Sequence, residues 1–353
     1  MSVIYTAFAL STTGQLERVE VETPPGPSEQ PDAVRLRLLA GAICGSDLAK
    51  IRGVPDPRWP HDGEPGFPLH EIVGQVLEDP SGRFARGDRV VGMSSEFRGL
   101  AEEFYADPAL LIPAPAQLCD VHATTVQPLA TILCSAARMP PRHGKRVAVV
   151  GFGGIGALFS HVLSPDAEIV VAIDPVDRSD VAATFGAVQP VPLTSRTAVS
   201  TGAPDLIQAD SFDLVVEAVG HQIGTFIDSV RLAKAGGHVV GFGVPDDEFY
   251  AVPMVEMFRK QLTVQLGETT NWRDHLQNAS AHMVRHTAQL EHFVTDVYDF
   301  ERAPDAFAAA VHPRAGQLKV AISASSGATS IDHGDCLFAT PRRHTSQERK
   351  STT

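Results

Sequence analysis

Cysteine is scarce in this chain: four among 353 residues, at Cys44, Cys119, Cys134 and Cys336. Four so scattered thiols cannot form a disulfide framework, and a reduced, cytoplasmic setting is expected. Cationic charge is scarce as well, with 29 Lys and Arg against 42 Asp and Glu and a formal net charge of -13. A surface this acidic repels nucleic acid and anionic lipid, so neither is expected as a partner. No apolar run approaches the roughly 18 residues of a membrane span. The opening segment MSVIYTAFALSTTGQLERVEVETP lacks a basic leader and a long apolar stretch, and reads as a β-hairpin rather than a signal peptide. What remains is a composition of 43% hydrophobic and 20% charged residues, that of a soluble globular protein long enough for two domains.

The texture changes along the chain. Residues 1–119 carry short β-like runs, AVRLRLLAG, EIVGQVLED and GDRVVGM, broken by Gly and Pro. They predict a compact, strand-rich domain. Over 120–288 the runs RVAVVGFG, EIVVAID, FDLVVEAVG, GHVVGFGV and QLTVQLG are mostly separated by helix-length stretches. That alternation predicts an α/β fold, a doubly wound parallel sheet wrapped by helices. ERAPDAFAAAV then reads as a helix with an acidic first turn, and LKVAIS as a strand returning to the first domain, which would therefore comprise 1–119 and 289–323. Residues 324–353, rich in Ser, Thr, Gly and charge, predict a disordered tail; the alternative is an arm docked on another subunit. No repeat at solenoid periods is present.

The first strand of the alternating region, Arg146 to Val150, runs into Gly151-Phe152-Gly153-Gly154-Ile155-Gly156 and then the helix-like ALFSHVL. Gly151 permits a tight turn, Gly153 lets backbone approach a pyrophosphate, and Gly156 lets helix pack on strand. Free N–H groups at the helix start would hold the phosphates. A lone GxGxxG is weak and also occurs as a Gly-rich turn in unrelated α/β folds, but this one has the required strand and helix. The next strand, EIVVAID, ends at Asp174, where an acid accepts hydrogen bonds from the adenosine ribose and repels a 2′-phosphate. NAD(H) is therefore expected over NADP(H), with nearby Arg178 softening the preference.

Upstream, Gly41-Ala42-Ile43-Cys44-Gly45-Ser46-Asp47-Leu48 precedes Pro68-Leu69-His70-Glu71-Ile72-Val73-Gly74. Thiolate, imidazole and carboxylate are the donors a catalytic zinc uses, leaving one position for water or substrate. Singly, each has a bland reading: a buried apolar cysteine, a surface His-Glu pair. Together, ahead of a dinucleotide turn, they become specific.

On AGAICGSDL, HEIVGQV, GDRVVG, LAEEFYADPALLIPAP, QPLA, VVGFGGIGAL, FDLVVEAVG and YDFERAPDAFAAAV…GQLKVAI, the chain resembles the zinc-type medium-chain dehydrogenases over residues 1 to about 323. The resemblance implies a GroES-like catalytic domain around a Rossmann domain. It implies Cys44 and His70 as zinc ligands, Glu71 as a ligand or near-ligand, and Asp47 orienting His70. It places Ser46 where a hydroxyl passes the substrate's proton outward, and Thr131 where the nicotinamide is touched. There are departures. Leu69 replaces a usual glycine, and Ala49 stands where several alcohol dehydrogenases have a relay histidine. Gln127 stands where relatives put a Cys or Glu ligand, although some sugar dehydrogenases share the Gln, and it is at most a weak fourth contact to the metal. No cysteine lies between Cys44 and Cys119, so the lobe holding a structural zinc in many relatives is absent. One catalytic zinc per subunit and no structural zinc are expected.

His221, after the strand ending FDLVVEAVG, sits where cofactors bind at a sheet's carboxyl edge, or is simply solvated. Glu268, Thr269 and Asn271 follow the last Rossmann strand and are candidates for the rim of the substrate pocket. Cys119, Cys134 and Cys336 read as structural or incidental. The expected activity is hydride transfer between NAD(H) and an alcohol or carbonyl, with a polyol, sugar or amino alcohol favoured by the family analogy, in a homodimer or homotetramer. The rivals are a metal-free enone or quinone reductase of the same superfamily and a non-enzymatic NAD-binding scaffold.

Overall fold

The computed structural model describes residues 3–27, 30–53, 63–186, 188–202, 207 and 209–324. The expected disordered tail, save Ala324, and Cys336 lie outside the described residues.

The chain opens with an antiparallel hairpin, β1 (Tyr5–Leu10) and β2 (Leu16–Val21), turned at Gly14 with φ +78°. β3 (Val34–Ala42), β4 (Glu71–Glu78), β5 (Arg89–Met93), β6 (Glu103–Ala106) and β7 (Leu111–Pro113) follow. β8 (Arg146–Val150), β9 (Ile169–Ile173), β10 (Val188–Val191), β11 (Phe212–Glu217), β12 (Ala233–Gly241) and β13 (Thr263–Gln265) form a six-stranded parallel sheet in the order β10-β9-β8-β11-β12-β13. That is the order of a dinucleotide-binding fold. β14 (Val294–Asp299) and β15 (Lys319–Ser323) then join the earlier strands in a seven-stranded sheet, β14-β15-β3-β4-β5-β7 with β6 beside β3. β15 lies antiparallel to β3, with Ala321 opposite Ala42, so the closing strand reaches back to the elements that carry Cys44 and Glu71.

The parallel strands are buried on both faces and so read as unbroken apolar runs. Along β8, Val147 and Val149 share one core with Leu158, Phe159 and Leu276, while Ala148 and Val150 share the other with Val215, Val230 and Val239. The first of these cores continues through the helix Val126–Ala136 to Val73 and Val91 of the other sheet, so that helix joins the two halves. β10 was not among the five strands expected from the sequence. It is only four residues long and contains Pro190, which a sheet tolerates at its edge, and β10 is an edge strand.

Candidate active site

Local folding fixes the spacing of the donors. Cys44 is the N-cap of the short helix Gly45–Ile51, and Asp47 lies three residues on, its Oδ2 accepting the Cys44 amide at 2.9 Å. Such a reciprocal cap satisfies N–H groups that a helix start leaves open. Glu71 opens β4 opposite Ala42 of β3, so the strand pairing sets it beside the Cys44 turn. His70 is held by its neighbours: Leu69 donates to the Phe97 carbonyl at 2.7 Å, and Ser94 N donates to the His70 carbonyl at 3.0 Å. The Phe97 ring lies 4.4 Å from the imidazole, centroid to centroid.

One ligand atom each from Cys44, His70 and Glu71 falls within 4.8 Å of the others, with His70 and Glu71 buried and Cys44 half-buried. Asp47 Oδ1 lies 2.9 Å from His70 Nδ1. The carboxylate accepts the Nδ1 proton and turns Nε2 to the cluster, as carboxylates do for histidines in zinc sites. Burial pushes the imidazole pKa down. The charge and hydrogen bond of Asp47, reinforced by Cys44, outweigh that and hold His70 well above the ordinary histidine value.

Sequence reading missed one member, Lys319. It opens β15 buried and donates to Glu71 Oε1 at 2.7 Å, with Oε2 equally close. Burial lowers its pKa, but Glu71 and Cys44 more than restore it, so the ammonium stays charged. The only signal was a lysine at the head of the apolar run LKVAIS. Glu71 Oε2 is buried, and beyond its ion pair with the Lys319 ammonium it has no hydrogen-bond partner. A sulfur, a nitrogen and a carboxylate drawn together in this buried pocket are donors of the types that zinc takes.

Leu69 has a steric partner. A Cβ at Gly41 would come within 2.5 Å of Leu69 Cδ2, so the large residue before the His-Glu pair is matched by a missing side chain on β3. Ser46 is half-buried in the first turn of the Cys44 helix, and Ala49 is buried on the same helix. Gln127 is buried in the first turn of the helix Val126–Ala136. Thr131, one turn on, donates its hydroxyl to the Pro128 carbonyl at 2.7 Å.

The glycine turn sits between β8 and the helix Gly154–Leu163, with Ile155 half-buried in its first turn. Gly151 has φ +91°, and a Cβ on Gly156 would lie 1.8 Å from the Gly151 carbonyl oxygen. A Cβ on Gly153 would meet nothing within 4 Å, which leaves room for a phosphate. Asp174, just past β9, accepts from Phe152 N at 2.7 Å and Val176 N at 2.8 Å. The buried Arg178 guanidinium lies 2.8 Å from its Oδ1. At the end of β11, Glu217 accepts from Val219 N, Gly220 N and the Thr225 hydroxyl. His221 is half-buried beyond it at φ +52°, its amide on the Val244 carbonyl at 2.7 Å. Glu268 and Asn271 are exposed and Thr269 half-buried after β13. Cys44, Cys119 and Cys134 are free thiols.

Residues 30–115 match the family model described as the alcohol dehydrogenase GroES-like domain. A probable zinc-binding alcohol dehydrogenase of Mycobacterium tuberculosis is 30% identical over 285 residues, covering 70% of this chain and 71% of the relative. Glucose 1-dehydrogenase 2 of Caldivirga maquilingensis is 23% identical, covering 82% of this chain and 92% of the relative. Among solved structures, a putative zinc-binding dehydrogenase of Sinorhizobium meliloti bound to NADP superposes with a TM-score of 0.71 at 24% identity, covering 91% of this chain and 99% of that one.

Proposed function

The chain belongs to the zinc-type medium-chain dehydrogenase/reductase family, and from that premise we propose that it oxidises the CH–OH group of a polyol, sugar or amino alcohol with NAD, or runs the reverse reduction. The observation that carries this is the Cys44, His70 and Glu71 donor set, braced by Asp47 and Lys319. Those three residues would hold zinc, with Gln127 at most a weak further contact. When bound, the zinc supplies Lewis acidity toward the substrate oxygen and the nicotinamide supplies the hydride acceptor.

The chain's own groups do the rest. Asp47 keeps the His70 ring in the tautomer whose Nε2 can donate an electron pair. Lys319 anchors the Glu71 carboxylate through their buried ion pair. Ser46 takes the hydroxyl proton outward as the carbon loses hydride; with Ala49 in place of an imidazole, its onward path runs through water or the cofactor ribose. Gly151, Gly153 and Gly156, with the amides of Gly154 and Ile155, hold the pyrophosphate at the helix start. Asp174 is expected to take the ribose hydroxyls, and Thr131 to touch the nicotinamide.

A homodimer or homotetramer is supported by exposed apolar side chains: Met254, Val255 and Phe258 on the helix Met254–Lys260, which leads into the edge strand β13, and Leu266 just after that strand. Patches of this kind mark interfaces, and a second copy of the chain is the proposed occupant. No helix among the described residues is long and apolar enough to cross a membrane. The test of function is NAD reduction across a panel of polyols, sugars, amino alcohols and simple alcohols, before and after chelation. Metal-dependent oxidation of one class is expected. Enone or quinone reduction that survives chelation would replace this reading with the metal-free reductase, and inertness across the panel with NAD still bound would favour a scaffold.

A further inference from the structure

A second cluster of metal-ligating side chains lies away from the catalytic donors. His161 is in the last turn of the glycine-turn helix Gly154–Leu163; His282 is on the helix Trp272–Arg285 and His286 is its C-cap. Residues four apart share a helix face, so the second helix presents two imidazoles together. His161 Nε2 lies 2.9 Å from His282 Nε2, and one ligand atom from each of the three rings falls within 4.8 Å of the others. The His282 and His286 rings stack at 4.3 Å, and each meets His161 edge-on at 5.2 Å.

We propose that His161, His282 and His286 form a second metal site, for a divalent transition ion of the zinc, nickel or copper type. Imidazole suits these ions. Two nitrogens of a tetrahedral zinc with bonds of about 2.0–2.1 Å stand roughly 3.3 Å apart, so the rings need only small rotations to seat one. His161 is buried, whereas His282 and His286 are half-buried, which leaves a solvent side for a water as fourth ligand. Without an ion, one Nε2 of the His161–His282 pair donates to the other at 2.9 Å, and a bound ion would take the place of that shared proton. Burial and repulsion among the rings push His161 and His282 down to about 4, with Arg285 adding to the effect on His282. Both are therefore neutral at pH 7, the form in which histidine binds metal.

The site is unrelated to a four-cysteine lobe and shares no donor with Cys44, His70 and Glu71. It joins the far end of the glycine-turn helix to a helix that also touches the other half of the protein, where Arg273 donates to the Pro108 carbonyl at 3.2 Å. An ion there would act as a clamp, raising thermal stability without entering the chemistry.

The test adds Zn2+ and, separately, Ni2+ to the whole enzyme and compares wild type with His282→Gln/His286→Gln. Wild type is expected to bind one equivalent per subunit more than the double variant and to melt at a higher temperature with Ni2+, while the variant's turnover stays near wild type and its melting point does not respond. Equal stoichiometry in both proteins would overturn the proposal. So would an extra equivalent that disappears with Cys44→Ala but persists in the double variant. Should the double variant fail to fold, the electron paramagnetic resonance of Cu2+ added to Cys44→Ala decides. Hyperfine structure from imidazole nitrogens that is lost on adding His161→Gln supports the site, and an unchanged or oxygen-only spectrum refutes it.

Discussion

Lys319 and Glu71 stand 248 positions apart in the chain and 2.7 Å apart in the fold, both buried. The ion pair ties the closing strand β15 to the first residue of β4, beside the cysteine turn. Removing one partner of such a pair leaves an uncompensated charge, which costs about 3–5 kcal/mol. Lys319→Met should therefore lower stability to urea by about that much with chelator present. Adding Glu71→Gln should recover most of the loss, because both charges are then gone. A Lys319→Met protein as stable as wild type would mean the ammonium holds nothing in place.

Ser46 is the proposed proton carrier, a role that the family resemblance implies for the hydroxyl in the Cys44–Asp47 segment. Ser46→Ala should reduce turnover by the roughly 100- to 10,000-fold range of general acid–base groups, with the affinity for NADH near wild type. Turnover unchanged between pH 6 and 9 would show that the proton leaves by another route.

In the proposed reading Asp174 repels a 2′-phosphate, and its carboxylate also pairs with the buried Arg178. Asp174→Ser removes the repulsion and frees a guanidinium suited to a phosphate. The ratio of kcat/KM for NAD over NADP should fall at least several-fold. Wild type that works equally well or better with NADP would contradict the assignment of Asp174 to the ribose hydroxyls.

Glu217 is buried at the end of β11, and that burial raises its carboxyl pKa despite the hydrogen bonds from Gly220, Thr225 and Val219. A raised folded-state pKa means that the native protein holds the proton more tightly than the unfolded chain. The penalty for burying the charge is present in full above the folded pKa and vanishes as pH falls below the ordinary value of 4.5. Relative to Glu217→Gln, wild type should therefore gain stability on acidification from pH 7 through 4.5. A stability difference that does not vary with pH would refute the shift.

Much of this was legible in the sequence because it is local. The glycine turn with its strand and helix is a short-range pattern in which each residue type has one physical use, whereas the Cys44-to-Asp47 cap emerged only in the fold. Lys319 was not legible, since nothing near it in sequence reports the carboxylate it meets through the β3–β15 pairing. Leu69 was visible as a departure, but its compensation by Gly41 needed the register of β3 against the segment before β4. The three-histidine cluster escaped for the same reason: His282 and His286 announce a shared helix face, while His161 comes from a helix more than a hundred residues earlier.

The central claim, that Cys44, His70 and Glu71 hold one zinc on which activity depends, is tested most directly by zinc content per subunit in protein carrying His282→Gln/His286→Gln, so that the histidine cluster does not contribute. One equivalent is expected, lost together with activity in Cys44→Ala and in Glu71→Ala, and retained in Gln127→Ala. Active protein, purified without chelator and holding no zinc, would contradict the account.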